Sequence, residues 1–266
     1  MNIKKLREIA QAGKVEGRER PWFYRSLQRG PSIYITTLFL KTSISPNSIS
    51  FLSIIVGILG TIILFLPGYG PLIIALLLFY LNILLDKVDG EVARYRKIFS
   101  LKGIFLDNIN HLLIPALFFM GMTFRITLFG DLNYFVLLAG FGGAIAMALI
   151  RTGWSLSAQI YAKKYLKHPE LFALPESRKT SVEEAKESHS FLSYLLWIVH
   201  QFQEFFMIIF VFLVIIVLEM LLDKALLEYT LIFFGILLPL VFIENSIKGY
   251  LSIEHRIKAQ KERFNA

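Results

Sequence analysis

The sequence predicts an all-α polytopic membrane protein with six transmembrane helices and an N-terminal interfacial amphipathic helix. Hydrophobic residues make up 55% of the 266 residues, and the mean hydropathy is +0.59. Charged residues make up only 18%, below the ~25% that is usual for soluble domains. The apolar residues are gathered in six runs, each close to the ~20 residues that a helix needs to cross a bilayer. This composition excludes an ordinary soluble globular fold.

The six spans are predicted at about residues 49–66, 71–89, 103–124, 132–150, 194–222 and 226–248. Pro67 and Gly68 mark the end of the first span, since neither residue favours continuation of a helix. An even number of spans places the two termini on the same side of the membrane. The loops that follow the second and the fourth span then lie on that side as well.

The positive charges are strongly biased towards one side of this layout. All but two of the 28 Lys and Arg residues lie in the N-terminal arm, the second–third loop, the fourth–fifth connection or the C-terminal tail, or at the span ends next to them. The exceptions are Arg125 and Lys224. Because Lys and Arg accumulate in cytoplasmic loops, the bias predicts cytosolic termini in a cell (inner) membrane. It also explains the net charge of +8 without a nucleic-acid partner.

The chain is predicted to have three parts. Residues 1–45 form a cytosolic arm, whose stretch from about 21 to 42 mixes aromatic and aliphatic residues with basic ones, as amphipathic helices at a membrane surface do. Residues 46–250 form the six-helix transmembrane domain, with a hydrophilic cytosolic connection at about 154–190. Residues 251–266 form a cytosolic tail. The first thirty residues contain many basic residues and no apolar core of a secretory signal peptide.

Three acidic residues lie in apolar stretches at the ends of the second and third spans. They are Asp86, Asp89 and Asp107. A carboxylate in the hydrocarbon region costs at least ~2.5 kcal/mol, so such a cluster indicates a functional site. At 100° per residue, Asp86 and Asp89 share one stripe of a helix, and Asp107 and His111 share a face of the next helix. Both helices meet at the predicted cytosolic surface, so the site is expected to face the cytosol.

Small residues accompany the acids on these stripes. Gly90 and Ala93 lie on the stripe of the first two aspartates, with Arg94 at its edge, and Gly103 begins the next helix. Small side chains allow a ligand to approach the backbone, and Arg94 can bind a phosphate oxygen or an aspartate. Mg²⁺ is usually held by one or two carboxylates together with substrate phosphates. The pattern therefore predicts a divalent-metal site with room for a phosphate. The chain has no cysteine, which excludes thiol catalysis and zinc–thiolate sites.

These residues resemble the signature of the CDP-alcohol phosphotransferase (CDP-alcohol phosphatidyltransferase) family, D-x2-D-G-x2-A-R-x8-G-x3-D-x3-D. Seven of its eight fixed positions match with every gap of the right length, and the eighth is His111. The resemblance implies an enzyme that moves a substituted phosphate from CDP-diacylglycerol or another CDP-alcohol to an acceptor hydroxyl and releases CMP. It further implies a role in phospholipid or related polar-lipid synthesis, Mg²⁺ or Mn²⁺ as cofactor with two ions, and a homodimer.

The resemblance also implies roles for individual residues. The implied metal ligands are Asp86, Asp89, Asp107 and His111. The implied CDP-binding residues are Asn47, Gly90, Ala93, Arg94 and Gly103. His111 would be the catalytic base, and Arg151, at the cytosolic end of the fourth span, is a weaker candidate for binding the acceptor.

His111 is the one departure from the signature, which has an aspartate there. An imidazole accepts a proton close to neutral pH and can ligate a metal, although Mg²⁺ prefers oxygen. Because the carboxylate of the signature is missing at this position, we expect a second metal ion to bind more weakly. Three interpretations stay open: His111 is the base, another group is the base and His111 is structural, or the family reaction has been lost.

Other interpretations of the site are a Mg²⁺-dependent intramembrane prenyltransferase and a non-catalytic family member that binds a CDP-alcohol. A prenyltransferase would normally carry two aspartate-rich motifs, and this chain has one. The simplest structural alternative is that the aspartates form ion pairs with nearby Lys and Arg. For Asn82, an interhelical hydrogen bond is favoured, while Asn110 is equally compatible with a substrate contact.

Overall fold

The computed structural model describes residues 3–12, 24–130, 132–167, 201–222 and 225–264, and every regular element in these ranges is helical. A π-helical segment, Tyr24–Arg29, runs directly into α2. The helices are α1 (Ile3–Ala10), α2 (Gly30–Leu40), α3 (Pro46–Ile63), α4 (Tyr69–Arg96), α5 (Leu101–Phe129), α6 (Tyr134–Lys167), α7 (Phe205–Leu222) and α8 (Leu226–Phe264).

Six helices, α3 to α8, are long and apolar enough to cross a membrane, which confirms the predicted multi-pass all-α fold. The ends differ from the prediction. The apolar parts of α6 and α8 end near Gly153 and Tyr250, but both helices continue beyond, to Lys167 and Phe264. Helix α7 begins at Phe205, later than predicted. The predicted residues 194–200 of this span, and the connection from 168 to 190, lie outside the described residues.

Local signals place the ends of the helices around the candidate site. The Ser45 hydroxyl accepts a hydrogen bond from the Ser48 backbone N–H at 3.1 Å, and Pro46 occupies the first turn of α3. Ser100 caps α5 in the same way, accepting from the Gly103 N–H at 2.9 Å. Such caps satisfy donors that the first turn of a helix leaves free. They fix where α3 and α5 begin, next to the end of α4.

The transmembrane helices form one bundle around a core rich in phenylalanine. α3 packs against α4 and α5, α5 packs against α6, and α6 packs along α8. Phe118 lies at the centre of this core, with its ring 5.2 Å from the rings of both Phe79 and Phe212 in edge-to-face arrangements. Aromatic pairs favour this geometry, and the contacts join α4, α5 and α7.

The N-terminal arm lies on α4. Helix α2 occupies the stretch for which an interfacial helix was predicted, with Tyr34 and Leu38 on its exposed face. Its buried face carries the polar Ser32 and Thr36, which are fully buried against α4, together with Ile33. The large apolar residues of the opposite face point outwards, as expected for a helix in contact with lipid. Helix α1, which the sequence did not predict, packs through Leu6 and Ala10.

Arg125, one of the two basic residues on the other side of the bundle, is buried near the end of α3. Its guanidinium donates to the carbonyls of Leu64 at 3.1 Å, Leu66 at 2.5 Å and Gly68 at 2.6 Å. These carbonyls belong to the end of a helix and the turn that follows, where acceptors lack a helical partner. Arg125 therefore caps the C-terminal end of α3, which accounts for its burial in the bundle.

Candidate active site

Asp86, Asp107 and His111 lie together where α4 faces α5. One ligand atom from each residue lies within 4.8 Å of the other two. The His111 Nε2 atom is 3.4 Å from Asp86 Oδ1 and 3.5 Å from Asp107 Oδ1. The two stripes therefore face each other as the spacing predicts, and these three side chains are close enough to share one cation.

Asp89 lies next to this group but is not a member of it. Its Oδ2 atom accepts a hydrogen bond from the Ser50 hydroxyl of α3 at 2.5 Å, and its side chain is buried. Ser50 was not predicted as a site residue. Its position three residues after Asn47, on the helix that begins beside the motif, was the feature of the sequence that could have indicated it. Ser50 turns Asp89 towards α3, and the role of Asp89 as a metal ligand stays a prediction.

Two basic side chains contact the acids. The Lys87 ammonium lies 2.7 Å from Asp86 Oδ2, and Arg151 Nη2 lies 3.5 Å from Asp107 Oδ2. Lys87 was not predicted as a site residue, although its place between two motif aspartates, in a span, was a visible signal. The two cations offset part of the negative charge of the three carboxylates, so these carboxylates are not an isolated acidic cluster.

Asn110 and Asn82 hold Asp86 in place. Asn110 donates from Nδ2 to Asp86 Oδ1 at 3.3 Å, and Asn82 donates to Asn110 Oδ1 at 2.8 Å. Asn82 also donates to the Ser53 carbonyl of α3 at 2.8 Å. The expected interhelical role of Asn82 is confirmed. The chain of bonds joins α3, α4 and α5 behind the cluster, and together with Lys87 it fixes the orientation of the Asp86 carboxylate.

A cavity of about 230 Å³ opens beside Asp89 and Asp107, and we call it the Gly90 cavity. It contains all five of the residues expected to bind CDP, together with two of the expected metal ligands. The lining residues are Pro46, Asn47, Ser50, Asp89, Gly90, Ala93, Arg94, Ile98, Phe99, Ser100, Gly103, Ile104 and Asp107. The structure therefore brings together in one cavity residues that are up to 61 positions apart.

Two glycines keep the wall of the Gly90 cavity open. A Cβ atom on Gly103 would lie 2.9 Å from the Asn47 Oδ1 atom, which accepts a hydrogen bond from Ser100. A Cβ atom on Gly90 would lie 3.2 Å from Arg94 Nη1. Arg94 Nη2 is buried and has no hydrogen-bond partner, alone among the buried side-chain nitrogen and oxygen atoms of the described residues. A buried guanidinium nitrogen without an acceptor fits an anionic ligand in this cavity.

A second cavity of about 140 Å³, which we call the His111 cavity, lies on the other side of the cluster. Its polar wall includes His111, Asp86, Lys87 and Arg151. The remaining lining residues are Gln28, Asn82, Ile83, Asn110, Pro115, Met147, Ile150, Gln203, Glu204, Phe205 and Phe206. Asp107 lines one cavity and Asp86 and His111 line the other, so the three-residue cluster forms the wall between them.

The residues present fit a divalent cation. Two carboxylates and an imidazole converge, a third carboxylate stands next to them, and the orphaned Arg94 nitrogen marks an anion site on the same wall. Carboxylate oxygen suits Mg²⁺ and Mn²⁺, and imidazole suits Mn²⁺ better than Mg²⁺. The donor set is that of a site which binds a metal together with a phosphate.

Comparison with known proteins agrees with this geometry. The profile of the family described as CDP-alcohol phosphatidyltransferase matches residues 43–216, from just before α3 into α7. An uncharacterized protein of Aquifex aeolicus (strain VF5) is 31% identical over 113 residues. The aligned region covers 41% of this chain and 56% of that protein, so the chain spans just over half the length of this relative.

Proposed function

Because the chain belongs to the CDP-alcohol phosphatidyltransferase family, we propose that it is an integral membrane transferase that moves a substituted phosphate from a CDP-linked donor to an acceptor hydroxyl. The observation that carries this proposal is the cluster of Asp86, Asp107 and His111 on the wall between two cavities. One cavity takes the donor and the other takes the acceptor, so that the phosphorus and the hydroxyl meet at the cluster.

The Gly90 cavity is the proposed CDP site. Arg94 binds the pyrophosphate through the guanidinium nitrogens that lie beside Gly90. Asn47 and Gly103 shape the far side, where the backbone is accessible because Gly103 has no side chain. Ala93 leaves space on the same stripe. The binding energy of the nucleotide thus serves to place the reacting phosphate next to Asp107.

The metal site is proposed at Asp86, Asp89 and Asp107, with His111 as a further ligand only if another group is the base, because a metal on Nε2 would occupy the lone pair that accepts the proton. A bound Mg²⁺ or Mn²⁺ ion supplies neutralisation of the pyrophosphate and of the leaving CMP. Family resemblance suggests two ions, and the position of Asp89 between the cluster and the CDP site suits a ligand shared with the nucleotide side. Asn110 and Lys87 hold the Asp86 carboxylate in one orientation, so it does not have to be ordered when a cation binds.

His111 is the proposed general base. Its Nε2 atom faces both carboxylates and lies at the acceptor cavity. In the reaction, the acceptor oxygen forms a bond to the phosphorus, the bond from phosphorus to the CMP oxygen breaks, and the acceptor proton moves to His111. Lys87 and Arg151 line the same cavity and favour an acceptor that carries a negative group. A lipid product and a place in phospholipid or related lipid metabolism suit a site that lies within a membrane-spanning bundle.

The proposed setting is a cell (inner) membrane with both termini and the active site on the cytosolic side. The distribution of Lys and Arg supports this orientation. A homodimer is proposed from family resemblance alone.

Release of CMP is the direct test of this function. Purified protein is incubated with Mg²⁺, candidate acceptors and a panel of CDP-alcohols that includes CDP-diacylglycerol, and CMP is measured. We expect CMP to form with at least one pair and to be abolished by EDTA. Tight binding of CDP-alcohols without any CMP would contradict the transferase and support a non-catalytic binding protein.

A further inference from the structure

Helix α1 ends against the residues that form the proposed phosphate site. The carbonyl of Ala10, its last residue, accepts a hydrogen bond from Arg94 Nε at 2.5 Å. The next residue, Gln11, is buried and donates to Glu91 Oε1 at 2.9 Å and to the Arg29 carbonyl at 2.8 Å. The end of α1 is therefore held between two residues of α4 that lie three positions apart.

Glu91 is the anchor for this arrangement. It is completely buried and lies on the opposite side of α4 from the acidic stripe. Besides Gln11, it accepts hydrogen bonds from Arg29 at 3.0 Å, Ser32 at 2.7 Å and Thr36 at 2.6 Å. A buried carboxylate that accepts from four donors is a rigid attachment point, because the bonds strengthen one another in a low-dielectric interior.

The contact with Ala10 restricts the guanidinium of Arg94. A guanidinium has five N–H donors in a fixed planar fork, so engaging Nε sets the direction of both Nη atoms. Nη1 and Nη2 then lie beside Gly90, at 3.2 and 3.5 Å from the place where a Cβ atom would stand, and Nη2 has no protein partner. The backbone of α1 thus orients the side chain while leaving its free nitrogen for a ligand.

We propose that α1 is a positioning element of the phosphate site, in which Gln11 and the Ala10 carbonyl hold Arg94 in the orientation that binds the pyrophosphate of a CDP-linked substrate. This inference rests on the proposed function. It assigns a role to a segment that lies outside residues 43–216, the range matched by the family profile. Gln11 acts through Arg94 and is a positioning residue.

Affinity for nucleotides tests this role. In the full-length protein, Gln11→Leu removes the side-chain bonds that tie the end of α1 to Glu91 of α4 and to the Arg29 carbonyl. We expect this variant to bind CDP about 10-fold more weakly in titration calorimetry with Mg²⁺, which corresponds to one weakened charge-assisted contact. Affinity for cytidine, which has no phosphate, stays unchanged. Lys5→Gln, on the exposed face of α1, is the matched control and should bind both ligands as the wild type does.

A double-mutant cycle separates positioning from general stabilisation. Arg94→Met weakens CDP binding by itself. If α1 acts through Arg94, adding Gln11→Leu to Arg94→Met has no further effect on CDP affinity. Additive losses, or equal losses for CDP and cytidine, would overturn the proposal.

A second variant covers the case in which Gln11→Leu does not fold. Leu6→Ala loosens the packing of α1 and retains every hydrogen-bonding group, so it should give a smaller loss of CDP affinity with the same dependence on Arg94. Wild-type affinity in both α1 variants would overturn the inference and leave the proposed function standing. Failure of the wild-type protein to bind CDP at all would instead contradict the proposed function.

Discussion

The carboxylate of Asp86 shows how a charge is maintained inside a membrane-spanning helix. Lys87 pairs with one oxygen at 2.7 Å, and Asn110 donates to the other at 3.3 Å. His111 faces the same oxygen from α5. An isolated carboxylate at this depth costs at least ~2.5 kcal/mol, and these partners offset that cost. The site is therefore arranged before any ligand binds.

Replacing a proposed metal-binding carboxylate with a neutral amide tests the site at the scale of single residues. We expect Asp107→Asn to lower Mg²⁺-dependent CMP release by at least about 100-fold, because a neutral amide no longer attracts the cation or shares in charge stabilisation. The same loss is expected for Asp86→Asn. Since the Asp107 side chain is 40% exposed, its variant should keep a wild-type melting temperature.

Asn108→Ala is the matched control for these variants. Asn108 is the exposed neighbour of Asp107 and donates to the Ile104 carbonyl of its own helix. Its replacement should leave CMP release unchanged. Wild-type turnover in either aspartate variant would show that these carboxylates do not hold the catalytic ion.

His111 is tested by a pair of substitutions. His111→Ala removes the proposed base and should lower kcat by about 10²- to 10⁴-fold, the usual contribution of general-base catalysis. His111→Asp restores the carboxylate of the family signature and should keep kcat within about 10-fold of the wild type. Turnover is measured as CMP release at saturating donor. Full activity of the alanine variant would mean that another group accepts the proton.

At the scale of elements, α4 joins three parts of the molecule. One face presents Asp86 and Asp89 to the site, and the opposite face presents Glu91 to the N-terminal arm. Further along, Arg96 caps the end of α2 by donating to the carbonyls of Phe39 and Thr42. Because one rigid helix carries all these contacts, docking of the arm and geometry of the site depend on each other.

Close packing of α6 against α8 gives a prediction at this scale. A Cβ atom on Gly235 would collide with the Ala139 backbone, lying 2.5 Å from its Cα atom. Small residues allow such close approach of transmembrane helices. Gly235→Ala should therefore destabilise the bundle by about 1–3 kcal/mol through overpacking, seen as a lower melting temperature in detergent.

Gly142→Ala is the matched control for this packing test. Its added Cβ atom would meet the Gly235 carbonyl oxygen at 3.6 Å, an ordinary contact, on the same helix pair. Its melting temperature should be that of the wild type within about 1–2 °C. Equal effects of the two substitutions would contradict the proposed close approach.

At the scale of the whole molecule, charge is distributed according to orientation. Nearly all Lys and Arg residues lie on the predicted cytosolic side, and the guanidinium of Arg125, at the other end of the bundle, donates hydrogen bonds to three carbonyl groups. The candidate site lies at the end of the bundle where α4 ends and α5 begins. The orientation of the bundle therefore decides which compartment would supply the proposed CDP-linked donor.

Orientation can be measured directly, because the natural chain has no cysteine. We expect Lys5→Cys to react with a membrane-impermeant maleimide in inside-out vesicles and to be protected in intact cells. Leu132→Cys, which is 63% exposed between α5 and α6, should show the opposite pattern. Labelling of Lys5→Cys from outside intact cells would contradict cytosolic termini.

Much of this protein follows from the sequence alone. An apolar run of ~20 residues in lipid has to satisfy its backbone groups internally, so hydropathy by itself determines six helices. The 3.6-residue period then places Asp86 and Asp89 on one stripe and Asp107 and His111 on another. The gap lengths of the motif identify the family and six of the residues that line the Gly90 cavity, which are Asp89, Gly90, Ala93, Arg94, Gly103 and Asp107.

Tertiary structure decided which side chains meet. Periodicity states which face of a helix a residue occupies, but the rotation of one helix against another is set by packing over the whole bundle. The contact of Asn82 with Asn110, the contact of Ser50 with Asp89, and the burial of Glu91 under α1 all depend on that rotation. In each case the two groups lie far apart in the sequence. The packing of one helix or segment against another brings them together.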